Sequence, residues 1–298
     1  MLGYLLLMMI ATVTPAMALH FKLDSIPSTI AESSPEQIKK QTKAIWAQAT
    51  EGPSTKAYKL EAADNKDICK QIHEPSKADY DLWKPGEEWF SQVGQDKRLA
   101  NLWNSTTGFF IESGAADGEI NSNTLHFEMK KGWTGLLVEP HPQTFQTLLG
   151  KNRKAHAFNG ALSTTGNFGT MYLDLHDCAG YEGDGECSHI VNGSGKITVE
   201  VQVAPLGELL TCLGHSTVDF WSLDVEGVEG TILSSFPFER VVVGVLLIEM
   251  NKSGDNNKQI EQVMESNGFQ ECGRTLFDRI YVNPLYFNER GLQIPATC

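Results

Sequence analysis

Phe109–Glu128 reads FFIESGAADGEINSNTLHFE: a short apolar run, a small-residue loop set between Glu112 and Asp117, then a polar segment that turns helical from about Asn121 or Ser122. A strand that ends in glycines and runs into a helix N-terminus is where open α/β sheets hold their ligands, beyond the carboxyl ends of the strands. Gly114 and Gly118 allow the backbone to come close to a bound molecule, since a side chain there would stand in the way. The loop lacks the GxGxxG of dinucleotide enzymes, and its acidic flanks would repel a pyrophosphate. It suits a positive or zwitterionic ligand, although a plain strand-to-helix turn has the same local features.

Outward from this stretch, apolar runs alternate with amphipathic segments, the pattern of a parallel sheet with crossover helices. Strands are expected at Phe109–Glu112, Gly135–Glu139, Ala155–Asn159, Val218–Val225, Val241–Met250, Phe269–Cys272 and Arg279–Val282, the last two forming a terminal hairpin. Helices are expected at Ser122–Lys131, Gln143–Lys151, Leu206–Cys212, Val228–Ser235 and Lys258–Asn267. The runs at Val218 and Val241 are apolar on both faces, as buried parallel strands require. Met171–Val203 breaks the rhythm and reads as an insertion covering one edge. The main domain is expected over 89–285, with a tail at 286–298.

Residues 19–88 are polar and read as a helical arm, with a helix start at Ser34-Pro35-Glu36-Gln37. Residues 1–18 carry an apolar core and an Ala16-Met17-Ala18 pattern, and read as a signal peptide; an uncleaved membrane anchor in the endoplasmic reticulum, Golgi or plasma membrane is the alternative. Six cysteines without any CxxC argue for structural disulfides and against zinc, with Cys178 and Cys187 as the nearest local pair. Sequons at Asn104, Asn192 and Asn251 agree with a secreted or secretory-lumen glycoprotein. The net charge of −13 excludes a nucleic-acid partner and favours a cationic ligand.

More strand ends carry polar groups. Glu139 ends GLLVE, 21 positions after Gly118, where an acid in such folds reaches ribose hydroxyls. The next strand ends in Asn159-Gly160-Ala161, and a further one in Ser222-Leu223-Asp224-Val225-Glu226-Gly227-Val228-Glu229.

With these residues in place, the chain from about Ser91 to Pro284 resembles the FkbM-type methyltransferase family, a branch of the class I S-adenosylmethionine-dependent methyltransferases, and especially its animal branch similar to protein Star. The matching segments are SQVGQDK at Ser91–Lys97, the opening stretch, GWTGLLVEPHP at Gly132–Pro142, KNRKAHAFNGALS at Lys151–Ser163 and DFWSLDVEGVEGTIL at Asp219–Leu233. The resemblance implies a Rossmann-like, seven-stranded, mostly parallel sheet with a terminal antiparallel hairpin. It further implies S-adenosylmethionine as cofactor, its methionine end over Gly114, Ala115 and Gly118 with Glu112, Asp117 and Asp224 about it. Glu139 would hold the ribose, Asn159 and Ala161 would flank the adenine, and Gln95 with Asp96 would border the pocket. Where Glu112 stands the family commonly has Asp.

An oxygen acceptor needs its proton removed, and Glu226, Asp224 and Glu249 are the candidate bases, Glu226 foremost. Their structural alternative is helix capping and neutralisation of backbone amides; a metal held by the three acids is disfavoured because no histidine accompanies them. His126 and His141 read as surface residues without a role. A secretory address sits awkwardly with a cytosolic cofactor, so the rival reading is a catalytically silent relative that acts in binding or secretory-pathway trafficking through a protein partner. The acceptor, whether small molecule or glycan, is not named by the sequence.

Overall fold

The structure, a computed structural model, describes residues 68–103, 107–174, 189–191, 198–250, 254–294 and 296–298. The leader, the helix start at Ser34, the sequon asparagines at 104, 192 and 251 and the Cys178–Cys187 pair lie outside the described residues.

In chain order the strands are β1 (Ile72–His73), β2 (Phe109–Ser113), β3 (Thr134–Glu139), β4 (His156–Asn159), β5 (Ala161–Leu162), β6 (Gly169–Asp174), β7 (His189–Val191), β8 (Thr198–Ala204), β9 (Thr217–Leu223), β10 (Val242–Glu249), β11 (Gln270–Arg274) and β12 (Asp278–Val282). The α-helices are α1 (Gln95–Leu99), α2 (Leu125–Lys131), α3 (Pro142–Gly150), α4 (Leu206–Leu213), α5 (Glu229–Ser235), α6 (Gly254–Ser266) and α7 (Pro284–Glu289).

The main sheet has the order β1-β4-β3-β2-β9-β10-β12-β11. Pairings from β4 through β10 are parallel, whereas β12 runs antiparallel between β10 and β11, which makes the expected hairpin. The seven expected strands are all present, and Ile72–His73 adds an eighth by pairing antiparallel with β4. Ile68, Ile72 and Leu82 from this N-terminal stretch are buried.

Alternation along the strands sorts the core into two layers. Ile111, Leu136, Val138, Trp221, Leu223, Leu246 and Ile248 belong to one, and Phe110, Leu137, Phe220, Leu247 and Ile280 to the other, where Tyr286 and Phe287 of α7 pack. Every residue of β2 is buried, as are all of β10 except Val242, which accounts for their unbroken apolar sequences. Helices α2 and α4 stop at Gly132 and Gly214, both left-handed, the usual device for ending a helix.

The described parts of the stretch expected as an insertion, β7 with most of β6 and β8, join β5 in a second sheet of order β5-β8-β6-β7. It joins the main sheet through Gly160, immediately after β4. Disulfides link Cys69 to Cys212 and Cys272 to Cys298. Among the described residues no helix is long and apolar enough to cross a membrane.

Candidate active site

The connection order of β2 and β9 diverges, so a crevice opens between their carboxyl ends, as it must where chain direction switches in a doubly wound sheet. A cleft of about 230 Å³ occupies this position. On the sheet face that carries Phe110, Leu137, Phe220, Leu247 and Ile280, the residue two positions toward the cleft is Glu112, Glu139, Ser222, Glu249 or Asp278 respectively. Glu112 is in register with Ser222, and Glu249 with Asp278. The apolar layer therefore turns polar in one step along the whole rim, and all five residues line the cleft.

Glu112 is buried, and its two oxygens accept from Ser122 Oγ at 2.8 Å, Asn123 N at 2.5 Å and Thr124 Oγ1 at 2.6 Å. Burial pushes this carboxyl above its ordinary value, although Arg153 and these donors oppose the shift. Its work is to pin the segment before α2, and Ser122 Oγ in turn accepts from the N–H of Leu125, the first residue of that helix, at 3.1 Å. Gly114 and Ala115 donate to Val138 O at 3.0 Å each and line the cleft. Ala116 at φ 48° and Asn121 at φ 61° are left-handed without being glycine, and both also line it. Strained backbone of this kind persists where surrounding bonds over-determine it.

Asp117, Gly118 and Asn159 do not line the cleft. Asp117 is buried and its Oδ1 accepts from Glu119 N and Ile120 N at 2.8 Å, so it shapes the loop from beneath. The close approach expected at Gly118 is made to α3: a Cβ there would lie 3.0 Å from Leu148 Cγ. Its carbonyl accepts from Arg153 Nη1, and the same buried guanidinium donates to Glu128 Oε2 at 3.0 Å and to Thr124 Oγ1 at 3.2 Å. The Asn159 amide donates to Glu139 O at 2.8 Å and so fixes the end of β3. Ala161 does line the cleft, and with Leu162 and Leu173 of the second sheet forms an apolar wall next to Glu139. Leu173 carries no strand-end signal; only the second sheet brings it here.

Glu139 is buried, with Oε1 accepting from His141 N at 2.7 Å and Oε2 from Ala116 N at 2.9 Å. Burial raises its pKa to about 7, against the lowering effect of those two amides. A carboxylate offers about four lone-pair positions, so roughly two remain for a ligand.

On the other side of β2, Asp224 and Glu226 follow β9, and Glu249 and Asp278 lie on β10 and β12. Burial, followed by the charges of Glu249 and Glu226, drives the Asp224 carboxyl well above the usual range. Glu226 sits at φ 64° in a loop folded by Glu229, whose Oε1 accepts from Val225 N at 3.1 Å and Gly227 N at 3.0 Å. Glu229 Oε2 accepts from Asn256 Nδ2 at 2.7 Å. Asp224 caps no helix, because the N-cap of α5 is Val228. Gln95 lines the cleft and donates to Asp278 Oδ2 at 3.0 Å, whereas Asp96 is buried behind it and accepts from Phe90 N and from Ser91. Asp224, Glu229 and Glu249 each bring one oxygen within 4.8 Å of the others, close enough to share a cation. The histidines read as surface residues are not exposed: His126 is buried and stacks on Trp89 at 4.1 Å, and His141 caps α3 through Nδ1, which accepts from Thr144 N at 3.2 Å.

The strand order, the antiparallel β12 and the strand-end cleft define a fold of the class I S-adenosylmethionine-dependent methyltransferase type. The chain belongs to the methyltransferase FkbM domain family, whose model matches residues 112–271. Among solved structures it is similar to the FkbM methyltransferase of Methylobacillus flagellatus KT, at 14% identity over 65% of this chain and 48% of that one, with a TM-score of 0.41. It is also similar to a TehB-like SAM-dependent methyltransferase from Corynebacterium glutamicum, at 10% identity over 65% of this chain and 89% of that one, TM-score 0.35. Fibrillarin of Methanococcus jannaschii matches at 10% identity over 69% of this chain and 87% of its own, TM-score 0.36. The chain thus spans about half the length of the Methylobacillus protein. No curated protein matches it.

Proposed function

We propose that this protein is an S-adenosylmethionine-dependent methyltransferase acting on an oxygen of its acceptor. The observation that carries the reading is Glu139: a buried strand-end carboxylate, oriented by two backbone amides, beside an apolar wall on one side and a glycine loop on the other. Its remaining lone pairs fit a pair of ribose hydroxyls, Ala161 with Leu162 and Leu173 fits a flat base, and Gly114 with Ala115 fits the methionine portion. The cofactor supplies a methyl group on a positively charged sulfur leaving group. The protein's share is to position the acceptor and keep water out, while Glu226, with Asp224 and Glu249 beside it, takes the acceptor proton.

Calorimetric titration with S-adenosylmethionine and its demethylated product tests the reading. Glu139→Ala is expected to weaken binding about 10- to 150-fold, the value of one hydrogen bond to a charged group. The sign of the pH dependence follows from the raised pKa. Below about pH 7 the folded protein holds a proton on Glu139 that the unfolded chain has already released above its ordinary value of 4.5. Between those limits stability therefore declines as pH rises. Ribose binding needs the ionised form, so affinity should rise from pH 6 to pH 8, with proton release at the lower pH. An absence of heat and of any thermal shift at millimolar ligand would reject the reading.

The second reading, a silent relative working in binding or trafficking, is favoured by the two disulfides, which suit an oxidising lumen rather than the cytosol where the cofactor is made. It expects cofactor binding without methyl transfer to any component of a secretory extract. In either case we infer a secreted or secretory-lumen location.

A further inference from the structure

Helix α1 is five residues long, yet three residues that line the cleft depend on it. Gln95 lies on the helix, and its Oε1 accepts from Val93 N at 2.9 Å, which folds the turn that carries Gln92 into the lining. Asp96 accepts from Phe90 N at 2.6 Å and from Ser91 Oγ at 2.5 Å, and Ser91 in turn bridges Asn121, the third lining residue. A helix this short has no stability of its own in water, so its position must be imposed from outside.

The end of α1 away from the cleft is held by the buried Leu99 and by Arg98. Arg98 Nε donates to Cys298 O and Nη1 to Arg274 O at 2.8 Å. Both acceptors lie at the outer edge of β11, and the tail presents Cys298 O there because it is fixed twice to Cys272, by the disulfide and by the bond from Cys298 N to Cys272 O at 2.9 Å. The register of β11 against β12 shifts between Glu271 and Gly273, so Cys272 stands at a bulge. Gly273 completes the fit: a Cβ there would lie 2.8 Å from Cys298 O and 3.2 Å from Arg98 Nη2.

We propose that the Cys272–Cys298 disulfide is a thiol-sensitive latch on the cleft, with Arg98 as the positioning residue that transmits its state to α1. Exchange with a dithiol turns the bond into two cysteine thiols while the reagent becomes the disulfide and supplies both electrons and both protons. Cys298 is 9% exposed and its neighbours Ala296 and Thr297 are exposed, so a local opening of the tail, without unfolding of the sheet, brings the bond to the reagent. Once the tail is free, Arg98 keeps only Arg274 O, and the placement of Gln92, Gln95 and Asn121 loosens. The latch adds a control to the cleft; its binding test rests on the proposed function, and its exchange test does not.

The test uses the full chain. Dithiothreitol opens the bond, alkylation mapping reads which cysteines are free, and titration with S-adenosylhomocysteine reads the cleft. Affinity is expected to fall about fivefold or more as Cys272 and Cys298 become free, and to return on reoxidation. Cys272→Ala with Cys298→Ala should match the reduced protein. Arg98→Met should lose about as much with the disulfide intact, and combining the three substitutions should add less than about twofold, since they act through one contact. Hydrogen exchange needs no ligand: in Arg98→Met, residues 90–100 should exchange about tenfold faster or more while β2 and β9 stay within about twofold. Arg98→Lys, which keeps a donor for one carbonyl, should recover part of both losses. Unchanged affinity after the bond opens, or losses that multiply in the combined variant, overturns the latch. Equal acceleration of α1 and the central strands also overturns it, because Arg98 would then serve general stability. If the untreated protein does not bind S-adenosylhomocysteine, the proposed function fails and the exchange result alone decides the latch.

Discussion

Gly114 sits at φ +80°, and a Cβ built on it would stand 1.9 Å from the carbonyl oxygen of Asp224. Gly94 has nearly the same φ, +82°, with nothing within 4 Å of its Cβ position. The two glycines therefore separate conformational cost from crowding. Gly94→Ala should cost about 1 kcal/mol, the usual penalty of a side chain in left-handed backbone. Gly114→Ala should cost about 3 kcal/mol or more, since the ends of β2 and β9 must also part. Urea unfolding midpoints read the difference, and equal losses for the two variants would show that the crossing of Gly114 over Asp224 O is not tight. The widened crevice should also lose cofactor affinity in Gly114→Ala and keep it in Gly94→Ala.

At the scale of elements, the loop below the cleft and α2 are held to the chain leading into β4 by two buried ion pairs, Lys151–Glu119 at 2.7 Å and Arg153–Glu128. Arg153 and Glu128 meet at 3.0 Å with side chains 2% and 0% exposed. Removing one member leaves the other charged and buried, which generally costs about 3–5 kcal/mol, whereas removing both costs far less. Arg153→Met is accordingly expected to be destabilising by about that amount, and Glu128→Gln in the same chain to recover part of it. A double-mutant cycle by denaturant unfolding checks the coupling, and simple additivity would deny it. Such pairs mark where reading the sequence stops. The runs that became β2, β9 and β10 are legible because a strand buried on both faces is apolar almost throughout, and the acids at their ends are legible as interruptions of that run. Arg153 and Asn123 carry no comparable mark: their partners lie 25 and 99 positions away. Gly118 illustrates the opposite error. Its small size signals a close approach, but only the packing of α3 shows that the neighbour is Leu148. Ile72–His73, two residues in a polar stretch, are a strand only because β4 pairs with them.

For the molecule as a whole, the disulfides decide how much of its stability is stored as restriction of the unfolded chain. Cys69–Cys212 closes 143 positions and Cys272–Cys298 closes 26. Loop-closure entropy assigns them about 5 and about 3.5 kcal/mol respectively. The longer link also ties Ile68 and β1 to the α4 side of the sheet, and the shorter one fastens the tail against β11, where Cys298 N donates to Cys272 O at 2.9 Å. The two loops share no residue and constrain opposite ends of the strand order, so their effects should add. Replacing each pair by alanines, singly and together, gives the comparison under conditions where the remaining cysteines are unchanged. The Cys69–Cys212 variant should be the less stable of the two, and the combined variant should lose the sum within about 0.5 kcal/mol. The denaturant slope should rise in each, because an uncrosslinked unfolded chain exposes more surface. A reversed ranking would mean that the tail's packing on β11, rather than chain entropy, is what the shorter disulfide protects.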